Sequence, residues 1–179
     1  MFKILRNQCG MRLSLLLMFL LALACSYDLP CKGNYSIDSY NIFSAKHILP
    51  QGFTNSEDNW IKHLQKQIPY LNNERLCGRK PLQTFFRNAD ENAVKNICNN
   101  QGFEYGAGNL CISQEIFSLY IVESEKTGNG CKINKVREIN NDNRLHVVVG
   151  CGKVINTCLP VHFHTQTSEA PHNRIVCCC

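Results

Sequence analysis

His47 sits in Phe43-Ser44-Ala45-Lys46-His47-Ile48 and His162 in Leu159-Pro160-Val161-His162-Phe163, at opposite ends of the chain. Between them runs Lys80-Pro81-Leu82-Gln83-Thr84-Phe85. An imidazole ionises near pH 6.5, so one of a pair can take a proton while the other gives one. A lysine can stabilise charge gathering on phosphate oxygens. The three side chains form a minimal kit for cleaving a phosphodiester that has a neighbouring hydroxyl. Lys80 alone would be an ordinary surface lysine; the Thr84 and Phe85 that follow give it weight.

The elements that must position this kit can be read from patterning. Asp38 or Ser39 caps a short helix ending near Ile48, in which Phe43 and His47 share a face. Pro50 and Gly52 stop it. A second helix starts at Asn55 or Ser56, with Glu57 and Asp58 in its first turn and Trp60, Ile61, Leu64 and Ile68 as an apolar stripe. A third covers about 89–99, opened by Asn88 and Glu91 as a capping box. Strands are expected at 82–87, 110–112, 116–122, 131–136, 145–151 and 159–163. Residues 26–37 read as irregular, and the polar tail after residue 165 as disordered. Helices early and antiparallel strands later indicate an α+β fold.

Lys3, Arg6 and Arg12 precede an apolar run over 13–24, the pattern of a secretory signal and too short to span a bilayer comfortably. Of the 12 cysteines, Cys9 and Cys25 are lost if cleavage follows Cys25 or Ser26, leaving an even set for disulfides. The expected organisation is a signal peptide over 1–25, one domain over 26–165 and a Cys-ending tail over 166–179. Repeated Cys-x-x-Cys knuckles, which zinc would require, do not occur. His162 and His164 are read as facing opposite sides of their strand, His146 as structural and His63 as solvated. The Asn34-Tyr35-Ser36 sequon agrees with secretion. The formal charge is +5. Removing the three basic residues of the signal lowers it to +2, too little for indiscriminate adhesion to nucleic acid or membranes.

Several of these motifs occur in the order found in the pancreatic-type ribonuclease (ribonuclease A) superfamily, which the chain resembles over roughly residues 40–165. Phe43-x-x-x-His47 resembles that family's first catalytic helix, and Lys80-Pro81-Leu82-Gln83-Thr84-Phe85 its Cys-Lys-x-x-Asn-Thr-Phe signature. Ala93-Val94-x-x-Ile97-Cys98 is similar to its third helix. His146-Val147-Val148-Val149-Gly150-Cys151 and Leu159-Pro160-Val161-His162-Phe163 are similar to its two final strands. The resemblance implies three short helices on a curved, disulfide-stapled antiparallel sheet. It also implies a secreted, monomeric endoribonuclease without metal or cofactor, cleaving single-stranded RNA 3′ of pyrimidines.

Carried onto this chain, the resemblance makes His47 the base, His162 the acid and Lys80 the stabiliser of the crowded phosphorus. Thr84 would read the pyrimidine, Phe163 would pack on it, and Lys46 and Gln83 would assist at the phosphate. It pairs Cys77 with Cys131 and Cys98 with Cys151. Cys111 and Cys158 are left as a third pair, with Cys31 bonded to one of Cys177, Cys178 and Cys179. The helix-two bridge of the family is missing at both ends, and Trp60 stands in its place. Two departures imply weakened catalysis: Gly78 and Arg79 separate Cys77 from Lys80, and His164 replaces the aspartate that orients the second histidine. A binding or signalling protein with vestigial catalysis, recognising cell-surface ligands, is the alternative; so is a host-defence protein acting on microbial ones.

Overall fold

The computed structural model describes residue 31 and residues 33–140, 143–172 and 174–177. The expected signal peptide, Cys178 and Cys179 lie outside the described residues. No helix among the described residues is long and apolar enough to cross a membrane.

Three helices form where they are expected, with corrected ends: α1 (Ile37–His47), α2 (Glu57–Gln65) and α3 (Glu91–Asn96). α1 starts before Asp38 and Ser39, with Ser36 rather than either of them at its N-cap position; α2 ends before Ile68, and α3 is shorter than the expected 89–99. Ser56 caps α2 by accepting from the Asn59 amide. The expected box at Asn88 and Glu91 does not form. A 3-10 turn over Asn88–Asp90 leads into α3 instead, without a side-chain cap.

The strands are β1 (Asn34–Tyr35), β2 (Gln67–Ile68), β3 (Glu74–Arg75), β4 (Leu82–Phe86), β5 (Gly102–Glu104), β6 (Leu110–Ser113), β7 (Leu119–Thr127), β8 (Gly130–Ile139), β9 (His146–Val154) and β10 (Thr157–Thr167). One antiparallel sheet orders β4-β7-β8; a second places β9 between β6 and β10, with β5 outside β6. β1 joins β9 in parallel, so the segment expected to be irregular is partly strand. Two apolar clusters fill the interior. Phe43, Phe86, Val94, Ile97, Val147 and Val149 pack beneath α1 and α3. Trp60, Leu64, Phe85 and Val122 pack beneath α2. Trp60 is fully buried, 4.6 Å from Phe53 and 5.3 Å from Phe85 between ring centroids, and its Nε1–H donates to Asn55 Oδ1 at 2.7 Å.

Four disulfides staple these layers: Cys31–Cys158, Cys77–Cys131, Cys98–Cys151 and Cys111–Cys177. The expected Cys111–Cys158 pair is therefore wrong, and so is the bond from Cys31 to a terminal cysteine. The reason is strand order. Cys111 on β6 opposes Val149 of β9, and Cys158 on β10 opposes Lys153 of the same strand. β6 and β10 thus lie two strand spacings apart, roughly 9–10 Å, beyond the ~7 Å Cα reach of a disulfide.

The described residues after 165 do not form a disordered tail. β10 continues to Thr167, Val176 bridges Phe103, and the Cys177 amide donates to Gly102 O at 2.8 Å. His63 is only partly exposed, not a fully solvated side chain: it packs on Phe53, Trp60 and Phe85, with Nε2 sealed and unbonded among the described residues. Burial pushes its pKa down to about 4, and nearby Lys66 adds to the shift. His146 is structural, its Nδ1 2.9 Å from Ser113 O.

Candidate active site

A cavity of about 330 Å3 opens where α1, β4 and β10 meet. Its walls include Lys46, His47, Lys80, Gln83, Thr84, His162 and Phe163. Every catalytic or substrate-binding candidate read from the sequence therefore lines one cleft.

α1 delivers His47. Phe43, 1% exposed, anchors the helix one turn earlier, and its ring lies 5.3 Å from the imidazole. The Leu49 amide donates to Phe86 O at 3.0 Å, tying the end of α1 to β4. His47 Nδ1 lies 2.9 Å from the carbonyl oxygen of Thr84. A carbonyl only accepts, so Nδ1 carries the proton and Nε2 keeps the lone pair of the neutral ring. Burial lowers the His47 pKa to about 4; the Thr84 bond opposes this, while Lys46, His162 and Lys80 deepen it.

β10 delivers His162. Its ladder with β9 slips between Pro160 and His162 and again between Phe163 and Thr165, so irregularities bracket the histidine. Such bulges re-aim side chains. His162 opposes Gly150, and a Cβ added at Gly150 would meet His162 Cβ at 3.2 Å. Glycine there leaves room for the imidazole. Phe163 stacks on His47 at 5.1 Å and meets Phe86 edge-on at 6.0 Å.

His164 also lines this cleft, its ring centroid 6.5 Å from that of His162. The expectation of opposite faces fails because strand side chains repeat every two residues. Among the described residues His162 makes no side-chain hydrogen bond, and no carboxylate orients it. Burial lowers its pKa, and Lys80, His164 and Lys46 push the same way.

Lys80 stands exposed at the rim, held by a loop that leaves the Cys77–Cys131 bridge. Gly78 has φ +69°, and a Cβ there would meet Lys126 Cβ at 2.7 Å, so the inserted pair folds tightly against β7. Arg79 turns into the cleft, its Nε 3.8 Å from Glu74 Oε2. The insertion leaves Lys80 on the cavity wall and adds a second cation. Lys46 lies near both, and burial followed by the charges of Arg79 and Lys80 lowers its pKa. Gln83 Nε2 donates to Leu76 O at 3.0 Å, bracing this loop with one amide hydrogen.

Thr84 is 7% exposed, and its hydroxyl donates to Gln166 Oε1 at 3.2 Å. Gln166 escaped the sequence reading because it falls in the segment taken for a tail. Its spacing of four from His162 on a strand was the available signal. A larger cavity of about 550 Å3 lies across α1, lined by Phe53, Lys62, His63 and Tyr70 among others. It offers no imidazole pair. Among the described residues the one cluster of three potential metal ligands is Cys98, Cys151 and Cys158, and all three are committed to disulfides.

No model of a known protein family matches the chain, and no curated protein matches it in sequence. Solved structures do resemble it. The X-ray structure of SS-RNase-2 des116-120 is 24% identical, with a TM-score of 0.52, covering 74% of this chain and 99% of its own. Green turtle egg white ribonuclease is 20% identical, with a TM-score of 0.52, covering 72% of this chain and 98% of its own. At these identities the likeness speaks to architecture, and with the helices, sheets and disulfides above it shows that the chain has a disulfide-stapled α+β fold of the ribonuclease A type.

Proposed function

We propose that the protein is a secreted, metal-independent endoribonuclease that cleaves single-stranded RNA on the 3′ side of pyrimidines. The observation that carries this reading is one cleft walled by two imidazoles of unequal environment and a lysine. His47, proton on Nδ1 and lone pair on Nε2, takes the proton of the ribose 2′-hydroxyl. The oxygen attacks the adjacent phosphorus, and His162 protonates the departing 5′-oxygen. Lys80 stabilises the added negative charge. The products are a 2′,3′-cyclic phosphate and a 5′-hydroxyl end, and slower hydrolysis opens the ring with the histidine roles exchanged. DNA lacks the nucleophile. Lys46 binds phosphate, Gln83 assists there, Thr84 reads the base edge and Phe163 packs on the base. Four disulfides support an oxidising, extracellular setting.

The lack of a carboxylate at His162 among the described residues favours a second reading, in which catalysis is vestigial and the protein acts by binding cell-surface or microbial ligands. Cleavage of a short single-pyrimidine RNA in chelator separates the two. The nuclease reading expects a cyclic-phosphate product and losses of roughly 10²–10⁴ in kcat/KM for His47→Ala and for His162→Ala. Variants equal to wild type would move the function to binding.

A further inference from the structure

We propose that Gln166 is a specificity-determining residue: its two-ended amide sets the direction of the Thr84 hydroxyl bond and so lets one hydroxyl accept either uracil or cytosine. This rests on the nuclease reading above and deepens it.

A hydroxyl carries a single hydrogen. Thr84 Oγ1 can donate once and can also accept. Uracil offers a donor at N3, and cytosine offers a lone pair at the same place. Whichever group already engages the hydroxyl decides which base it can meet. In the structure the hydroxyl donates to Gln166 Oε1 at 3.2 Å. With its hydrogen spent there, Thr84 can only accept from the base, which suits uracil. A half-turn of the amide puts Nε2 where Oε1 stood. Nε2 then donates to Thr84, the hydroxyl hydrogen is free, and N3 of cytosine can accept it.

Three features make this exchange open to Gln166. Its side-chain amide makes no other hydrogen bond among the described residues, so nothing pins one orientation. It is partly exposed, which leaves water to satisfy the outer end. Thr84 is nearly buried, so its hydroxyl has few partners besides the amide and a bound base. Both residues line the cavity that holds His47 and His162. A carboxylate at position 166 can only accept, and an ammonium can only donate. Each would hold the hydroxyl in one sense.

The test compares kcat/KM on two oligonucleotides that differ only in their single pyrimidine ribonucleotide, uridine or cytidine. Effects of added charge on the phosphate or the histidines cancel in the ratio. Wild type should favour neither base by more than a few-fold. Gln166→Glu should raise the uridine-to-cytidine ratio about three- to tenfold, the weight of one net hydrogen bond, and Gln166→Lys should lower it similarly. In a Thr84→Ala background both shifts should vanish, because Gln166 acts through that hydroxyl. Ratios that stay within twofold of wild type, or that move the same way in both variants, overturn the inference while leaving the nuclease reading intact. Absence of cleavage by wild type overturns both.

Discussion

The neighbour of His162 offers a direct perturbation. His164 sets a second imidazole beside His162, the proposed acid, and the two ring centroids are 6.5 Å apart. His164→Asp replaces a group that opposes protonation of His162 with one that favours it. At 6.5 Å a unit charge interacts by roughly 0.6 kcal/mol in water-like surroundings and roughly 2.5 kcal/mol at an effective dielectric of 20. The His162 ring is only partly desolvated and its residue is open to solvent, so screening keeps the effect near the lower figure. That corresponds to a rise of about 0.5–1 unit in its pKa. In the proposed mechanism His162 must be protonated to act as acid, so the falling alkaline limb of the kcat/KM profile should move to higher pH by that amount. Above this limb, activity should rise about three- to tenfold. The acid limb, set by His47, should move less. The assay is the pH dependence of cleavage of one short RNA by both proteins. An alkaline limb that stays in place or moves to lower pH would refute this reasoning, because it would mean that His162 is not the acid or that His164 does not face it.

Other outcomes follow from the same geometry. The proposed mechanism needs His47 neutral as base and His162 protonated as acid, and both pKa values are lowered, His47 to about 4. The profile should therefore be a bell with its optimum on the acid side of pH 6.5, and a flat profile or an alkaline optimum would contradict the assignment. His47 and His63 are both depressed to about 4 in the folded state. Between that value and 6.5 the unfolded chain binds more protons, so Tm should fall as pH drops through this window and should fall less for His63→Phe. Gly150→Ala should press on His162 Cβ and lower kcat/KM by tenfold or more with the far-UV circular dichroism unchanged; full activity would show that the contact relaxes freely. Peptide mapping should recover Cys111 bonded to Cys177, and Cys111→Ser with Cys177→Ser should cost about 2–4 kcal/mol of stability.

Much of this molecule was legible in its sequence for local reasons. The α2 stripe of Trp60 and Leu64 needs only helical periodicity, and the strands around Thr84, Val148 and His162 announce themselves by β-branched and apolar runs. Catalytic candidates were legible because the frames around His47, Lys80 and His162 are distinctive. Long-range order was not. Which of Cys31, Cys111, Cys158 and Cys177 bond depends on β9 separating β6 from β10, a fact of sheet topology that spacing does not encode. The tail looked polar enough to be disordered, yet Cys177 ties it to the sheet and so fixes its course. Gln166 stayed hidden with it. His63 was misread because its neighbour Lys62 is exposed on α2, whereas its own ring turns to Phe85 across the helix–sheet interface.

The most direct test uses an oligodeoxynucleotide with one uridine ribonucleotide, incubated in chelator at mildly acid pH. Attack by the neighbouring hydroxyl should cut only on the 3′ side of that residue, leaving a 2′,3′-cyclic phosphate on one fragment and a 5′-hydroxyl on the other. Cleavage at deoxynucleotide positions, a 5′-phosphate product or an intact strand would contradict it.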